Sequence, residues 1–134
     1  MVTTMSQENI EVVKSLYAAF FRRDAAFIAG KLSPDFEVVQ STQVPWGGHY
    51  RGISGLQEFF GKLASHLNNA ALPVERYLDA GDDVVVIGRT QGTVKANGKP
   101  FDVPLVHVWR VRNGLAERFN PYIDNPTMLA GLAG

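Results

Sequence analysis

The sequence predicts an α+β fold, a curved antiparallel (mixed) sheet wrapped around N-terminal helices to make a cone-shaped barrel with a central cavity. Three observations lead to it. Helical periodicity dominates the first half, strand-like runs follow one another from Leu72 onward, and Gly81-Asp82, Asn97-Gly98 and Asn113-Gly114 punctuate those runs as hairpin turns. Helices first and a meander after them are the pattern of an α+β domain. A sheet of this length must curl around the helices to bury its inner face, and a curled sheet closed by helices encloses space.

Each element follows from local chemistry. Ser6 is a suitable N-cap, and Ile10, Val13, Tyr17 and Phe20 follow at helical spacing, so a first helix is expected from Ser6 to Arg23. Asp24 caps a short second helix to Leu32, which Ser33-Pro34-Asp35 breaks before a strand at Phe36–Gln40. Ser41 to Gly52, with Pro45, Gly47, Gly48 and Gly52, reads as loop. Ser54 and Gln57 resemble a capping box opening a third helix that carries Leu56, Phe59, Phe60, Leu63 and Leu67 on one side. Strands are expected at Val74–Leu78, Val84–Val94, Phe101–Val111 and Leu115–Asp124, with a short terminal helix starting at Asn125-Pro126.

Composition narrows the function classes. The chain has 134 residues, 46% of them hydrophobic, enough for one domain spanning 1–134 with a real core. Thirteen Lys+Arg balance thirteen Asp+Glu, without a basic block, so nucleic acid is not an expected partner. The absence of cysteine excludes disulfides and thiolate chemistry. No apolar run approaches the ~20 residues that cross a bilayer. The first residues lack the pattern of a signal peptide, so no membrane association and a cytoplasmic location are expected. The three histidines lack metal-ligand spacing, and neither a phosphate loop nor a dinucleotide fingerprint occurs, so no cofactor is expected.

The richest chemistry lies in Phe101–Asp124. A two-residue turn at Asn113-Gly114 pairs Arg110 with Glu117, Trp109 with Arg118, His107 with Asn120 and Leu105 with Tyr122. One face then carries Leu105, His107, Trp109, Asn120, Tyr122 and Asp124, polar groups among apolar walls, as in a small-molecule site. The same logic at Asn97-Gly98 sets Gly88 opposite His107 and Gly92 opposite Val103; these glycines either open space beside the imidazole or let the sheet coil. The other face carries Ile87, Val106, Val108, Phe119 and Ile123, apolar enough to suggest a homodimer through the outer sheet face.

The order of these elements resembles the nuclear transport factor 2-like (NTF2-like) superfamily. The segments VPWGGHYRGISGLQEFFGKL and VHVWRVRNGLAERFNPYIDNPTML resemble the loop-plus-helix and the final hairpin of its SnoaL-like and ketosteroid-isomerase-like members. The resemblance implies a single SnoaL-like domain that binds a small apolar carbonyl or polyketide-like compound. It implies either a cofactor-independent isomerase, cyclase or hydratase-type enzyme or a non-catalytic binding dimer using the same cavity. Fold alone does not choose between them.

Residue by residue the resemblance is mixed. Gln40 stands where ketosteroid isomerases place their aspartate base, and a neutral amide cannot take a proton from carbon. His107 stands where they hold a protonated aspartate as oxyanion donor, a role imidazole can fill. Their oxyanion tyrosine aligns with Leu16, one residue from Tyr17. SnoaL-type cyclases place an acid/base carboxylate late in the sheet, which implies Asp124. His107 and Asp124 are therefore the catalytic candidates. Tyr17, Gln40, Trp46, Tyr50, Trp109, Arg118, Asn120 and Tyr122 are the substrate-binding candidates. For several of them a structural role competes: Tyr17 as core, Asp124 as a helix-cap neighbour, and Trp46 and Tyr50 as seals of the glycine-rich loop instead of a lid.

Overall fold

The computed structural model describes residues 2–133, with side chains from Gln7 onward. Helix α1 (Val2–Phe21) is followed by α2 (Ala25–Gly30), strands β1 (Leu32–Gln40) and β2 (Gly48–Arg51), and helix α3 (Gly52–His66). Strands β3 (Leu67–Ala71), β4 (Val74–Ala80), β5 (Asp83–Val94), β6 (Pro100–Arg112) and β7 (Leu115–Ile123) lead to the terminal helix α4 (Asn125–Ala133). Helix α1 begins four residues before the expected Ser6 cap, whose side chain lies outside the described residues. Asp24 does cap α2, its Oδ1 accepting from the Phe27 N–H at 3.0 Å.

The sheet runs β2-β1-β7-β6-β5-β3, with β4 also on β5. It is mixed: β1 lies parallel to β7, and the other pairings are antiparallel. Val12, Val13, Leu16 and Ala19 of α1 and Leu56 and Phe59 of α3 pack into its concave side. Two strands were missed in the sequence. β2 hides in the glycine-rich loop, and β3 begins at Leu67, which had been placed at the end of the third helix. The expected Ser54–Gln57 capping box is not the helix start either, since α3 begins at Gly52 behind an extended Arg51.

Strands β3 and β4 share one edge of β5, and the chain crosses from one to the other at Leu72-Pro73. That crossing explains Gly88 and Gly92. A Cβ at Gly92 would collide with the Asn68 carbonyl and meet the Phe101 ring at 2.9 Å; one at Gly88 would collide with the Pro73 carbonyl. The glycines admit a neighbouring backbone and do not open space beside His107. Their partners also differ from expectation: Gly88 lies opposite Leu105, Gly92 opposite Phe101, and Val86 opposite His107. The Asn97-Gly98 connection is longer than a two-residue turn, with Val94 N–H donating to the Lys99 carbonyl at 2.8 Å.

The decisive irregularity is in the last hairpin. Asn113-Gly114 forms the turn as expected, with φ of 52° and 77°, and Arg112 faces Leu115. One step on, a β-bulge intervenes, and Arg110 pairs with Arg118 instead of Glu117. From there every β7 side chain is inverted relative to the regular pairing. Trp109 faces Phe119, His107 faces Pro121, and Leu105 faces Ile123.

The convex face carries Val85, Ile87, Val106 and Val108 together with Tyr122. Val106 and Tyr122 are exposed at 37% and 57%. Ion pairs frame this apolar centre: Arg89–Asp102 at 2.6 Å, Arg110–Asp83 at 3.2 Å and Arg118–Glu37 at 3.5 Å. Among the described residues no helix is long and apolar enough to cross a membrane.

Candidate functional site

A cavity of about 110 Å³ lies between the concave sheet face and helices α1 and α3. Phe36, Trp46 and Met128, each at most 2% exposed, form part of its wall. Two periodicities aim the polar groups inward. In β6 the buried residues alternate strictly through Leu105, His107, Trp109 and Val111. In α1, Val13, Leu16, Tyr17 and Phe20 fall on one face, so Tyr17 meets the middle of β6.

A hydrogen-bonded chain results. The Trp109 indole Nε1–H donates to the Tyr17 hydroxyl oxygen at 2.9 Å, and that oxygen lies 2.7 Å from His107 Nδ1. Indole N–H can only donate, so the single phenolic hydrogen is free to go to Nδ1. The Tyr17 hydroxyl has no other acceptor among the described residues, so we assign His107 Nδ1 as the acceptor and the proton of the neutral ring to Nε2. Burial pushes the His107 pKa down to about 3, so the imidazole is neutral at physiological pH. Burial likewise raises the Tyr17 pKa, outweighing the lowering effect of the Trp109 hydrogen bond, so the phenol keeps its proton. Phe119 completes the surround, stacked on Trp109 at 4.1 Å between centroids and edge-on to His107 at 4.8 Å.

Two polar groups that face the cavity have no protein hydrogen bond among the described residues: His107 Nε2 and the Gln40 side-chain amide. His107 is 6% exposed and Gln40 5%, and both line the cavity. Because they face the cavity, a ligand there can pair them; the fully buried atoms without a partner, Ser33 Oγ and Asn125 Oδ1, lie outside its lining. Val38 lies beside Phe119, which sets Gln40, two residues on, level with Pro121, the partner of His107. Gln40 and His107 thus flank Pro121 across the sheet, roughly 10 Å apart at the backbone by two strand spacings. No Asp, Glu, Lys or Arg lines the cavity. Nor do the described residues contain a cluster of three or more His, Asp or Glu able to hold a metal.

The structure brings Tyr17, Gln40, Trp46, His107 and Trp109 to one cavity and leaves the other candidates elsewhere. Asn120, Tyr122 and Arg118 lie on the convex face because the bulge inverts their strand. Asn120 does not meet His107; it sits beside Val108 in a small polar depression with Asp83, Arg110 and Arg118. Arg118 pairs with Glu37 and not with Trp109. The Glu37 carboxyl is held below the usual range, chiefly by its hydrogen bond to His49. Asp124 is exposed and serves α4, its Oδ1 accepting from the Thr127 N–H at 3.2 Å. Tyr50 is buried but does not line the cavity; its hydroxyl donates to the Trp46 and Gly47 carbonyls at 3.0 and 3.1 Å and fixes the loop. Trp46 is wall, 2% exposed, and no lid. Leu16 is also wall, and its neighbour Tyr17 brings the hydroxyl inside.

Sequence reasoning missed Phe119, Thr90 and Asn69 as lining residues. Thr90 Oγ1 donates to Asn69 Oδ1 at 3.3 Å, making a second polar spot. Thr90 shares strand parity with Val84 and Val86, a signal that could have found it. Asn69 could not be found without β3.

Comparison with known proteins agrees with this architecture. Solved structures with the same fold include an NTF2-like protein from Burkholderia pseudomallei K96243, 27% identical, TM-score 0.86, covering 95% of this chain and 98% of that one. TerC, co-crystallised with polyporic acid, is 28% identical with TM-score 0.85, covering 95% and 99%. A protein with a ketosteroid isomerase-like fold from Catenulispora acidiphila DSM 44928, in complex with trimethylamine, has 20% identity and TM-score 0.78 over 92% of each chain; it speaks for the fold alone. No curated protein matches the chain. The SnoaL-like domain family matches residues 13–119, and the chain belongs to that family, within the NTF2-like superfamily.

Proposed function

We propose that this protein binds a small, mainly apolar carbonyl compound in the cavity, with the carbonyl oxygen accepting hydrogen bonds from His107 Nε2–H and the Gln40 amide. The observation that carries this reading is the pair of cavity-facing polar groups without a protein hydrogen bond in a mainly apolar lining. Nothing in that lining can serve as a strong base: carboxylates are absent, and His107 Nδ1 is engaged by Tyr17. Proton abstraction from carbon by a protein group therefore has no agent here, which favours the receptor reading over a ketosteroid-isomerase mechanism.

Replacing Gln40 with Leu tests the reading cleanly, because Gln40 makes no protein hydrogen bond that folding would miss. The variant is expected to fold as stably as the parent and to bind a cyclic enone such as 2-cyclohexen-1-one roughly tenfold more weakly by calorimetry, the loss of about one hydrogen bond. Equal affinity would sink the proposal.

A catalytic reading rests on the Trp109–Tyr17–His107 chain. A neutral imidazole N–H held by fixed partners in a dry site can polarise a carbonyl and stabilise a developing oxyanion. Cofactor-independent isomerisation, cyclisation or hydration then needs a proton acceptor from substrate or water. Turnover of a carbonyl panel that disappears in His107→Gln would favour this reading over simple binding.

We also propose that two copies pair through the convex sheet face. The apolar centre at Val106, Val108 and Tyr122, ringed by ion pairs, supports it. Native mass spectrometry is expected to report twice the chain mass, and a monomer at micromolar concentration would refute the pairing.

A further inference from the structure

We infer that the cavity selects an uncharged, single-ring ligand and discriminates against steroids and fused-ring polyketides. This rests on the ligand-binding reading above and specifies its substrate class. Size is the first argument. The cavity volume is about 110 Å³, whereas an apolar cavity of about 150 Å³ in another protein holds one benzene. One ring with a carbonyl oxygen therefore comes close to filling it. The space cannot readily grow at its walls. Phe36, Trp46 and Met128 are 1%, 2% and 1% exposed, and displacing such close-packed side chains is destabilising. Phe21 lines the cavity yet is 41% exposed, so the space reaches solvent at the end of α1. A flexible tail can leave there, but a rigid second and third ring must displace wall.

Charge is the second argument. No ionic side chain lines the cavity, and its one imidazole is held neutral between Tyr17 and apolar walls. An ionised ligand would be buried without a counter-ion, which is strongly unfavourable. Polarity at the binding end is the third. The Tyr17 hydrogen bond fixes Nε2–H as a donor, so the ligand presents an acceptor to His107.

A ligand series on the full-length protein separates this inference from the reading beneath it. The probes are 2-cyclohexen-1-one and acetophenone as neutral single rings, testosterone as a fused-ring enone, and benzoate as a charged single ring. Calorimetry and ligand-dependent thermal shifts are the readouts. Burying more apolar surface ordinarily tightens binding, so a falling affinity with size is diagnostic. The expected result is saturable binding of the two neutral single-ring ketones, at least tenfold weaker binding of testosterone, and none of benzoate. Testosterone binding more tightly than acetophenone would overturn the size limit and leave the carbonyl-binding reading intact. Benzoate matching acetophenone would overturn the neutrality requirement. If none of the neutral carbonyl compounds binds, the ligand-binding reading itself fails.

Discussion

Acidification from pH 6.5 to pH 4.5 is expected to remove roughly 2 kcal/mol of stability through His107 alone, lowering the melting temperature by roughly 5–10 °C. The ordinary imidazole pKa is 6.5, and burial lowers it to about 3 in the folded chain. Between those values the unfolded chain binds a proton that the folded chain refuses. The stability is thus fully present above pH 6.5 and is lost progressively as the pH falls toward about 3. Glu37, Asp24 and Asp102 also have lowered pKa values and act in the same direction. They begin to contribute only near their ordinary values of 4.5 and 3.8, so the upper part of the window isolates the imidazole. Denaturant melts at stepped pH should show the slope in the parent and a flat line in His107→Gln. A slope that persists in the variant would place the titrating group elsewhere.

Removing one oxygen from the cavity wall should have the next largest effect. Tyr17→Phe keeps the ring but leaves the Trp109 indole N–H without an acceptor and His107 Nδ1 without a donor. Each buried orphan costs about 1–3 kcal/mol, so a loss of roughly 2–4 kcal/mol is expected in a urea melt. A second readout separates this from ordinary loss of packing. Nitrogen-15 NMR of the parent should show His107 wholly in the form protonated at Nε2, and the variant should show both neutral tautomers. Finding Nδ1 protonated in the parent would refute the proposed direction of the chain.

The fold was legible because its signals are local or periodic. Alternation in β6, helical spacing in α1 and the turn chemistry of Asn113-Gly114 each act over a few residues. His107, Trp109 and Tyr17 depend only on those patterns, and all three are in the cavity. Asn120, Tyr122 and Arg118 depended on carrying a register across several steps of pairing, where one extra residue reverses every orientation. The regular pairing would have buried Arg118 and Asn120 and exposed Phe119 and Ile123. The bulge avoids both, and transfer energetics favour it. A trace was present in the sequence: Ala116 and Phe119 are three apart, an interval that breaks strict alternation. Strand β3 was harder to read, because Leu67 extends the helical pattern of α3 and only pairing with β5 makes it a strand.

The bulge beside Glu117 makes the interior depend on a reading frame. In one frame the last strand presents Phe119, Pro121 and Ile123 to the cavity; in the other it presents Arg118, Asn120 and Tyr122. Deleting Glu117 would straighten the strand and leave the first set in place. Ironing out the bulge with Glu117 retained would exchange one set for the other. The chemistry of the chamber is thus encoded in the spacing of residues as much as in their identity, and a relative with the same letters at a different interval can hold a different molecule.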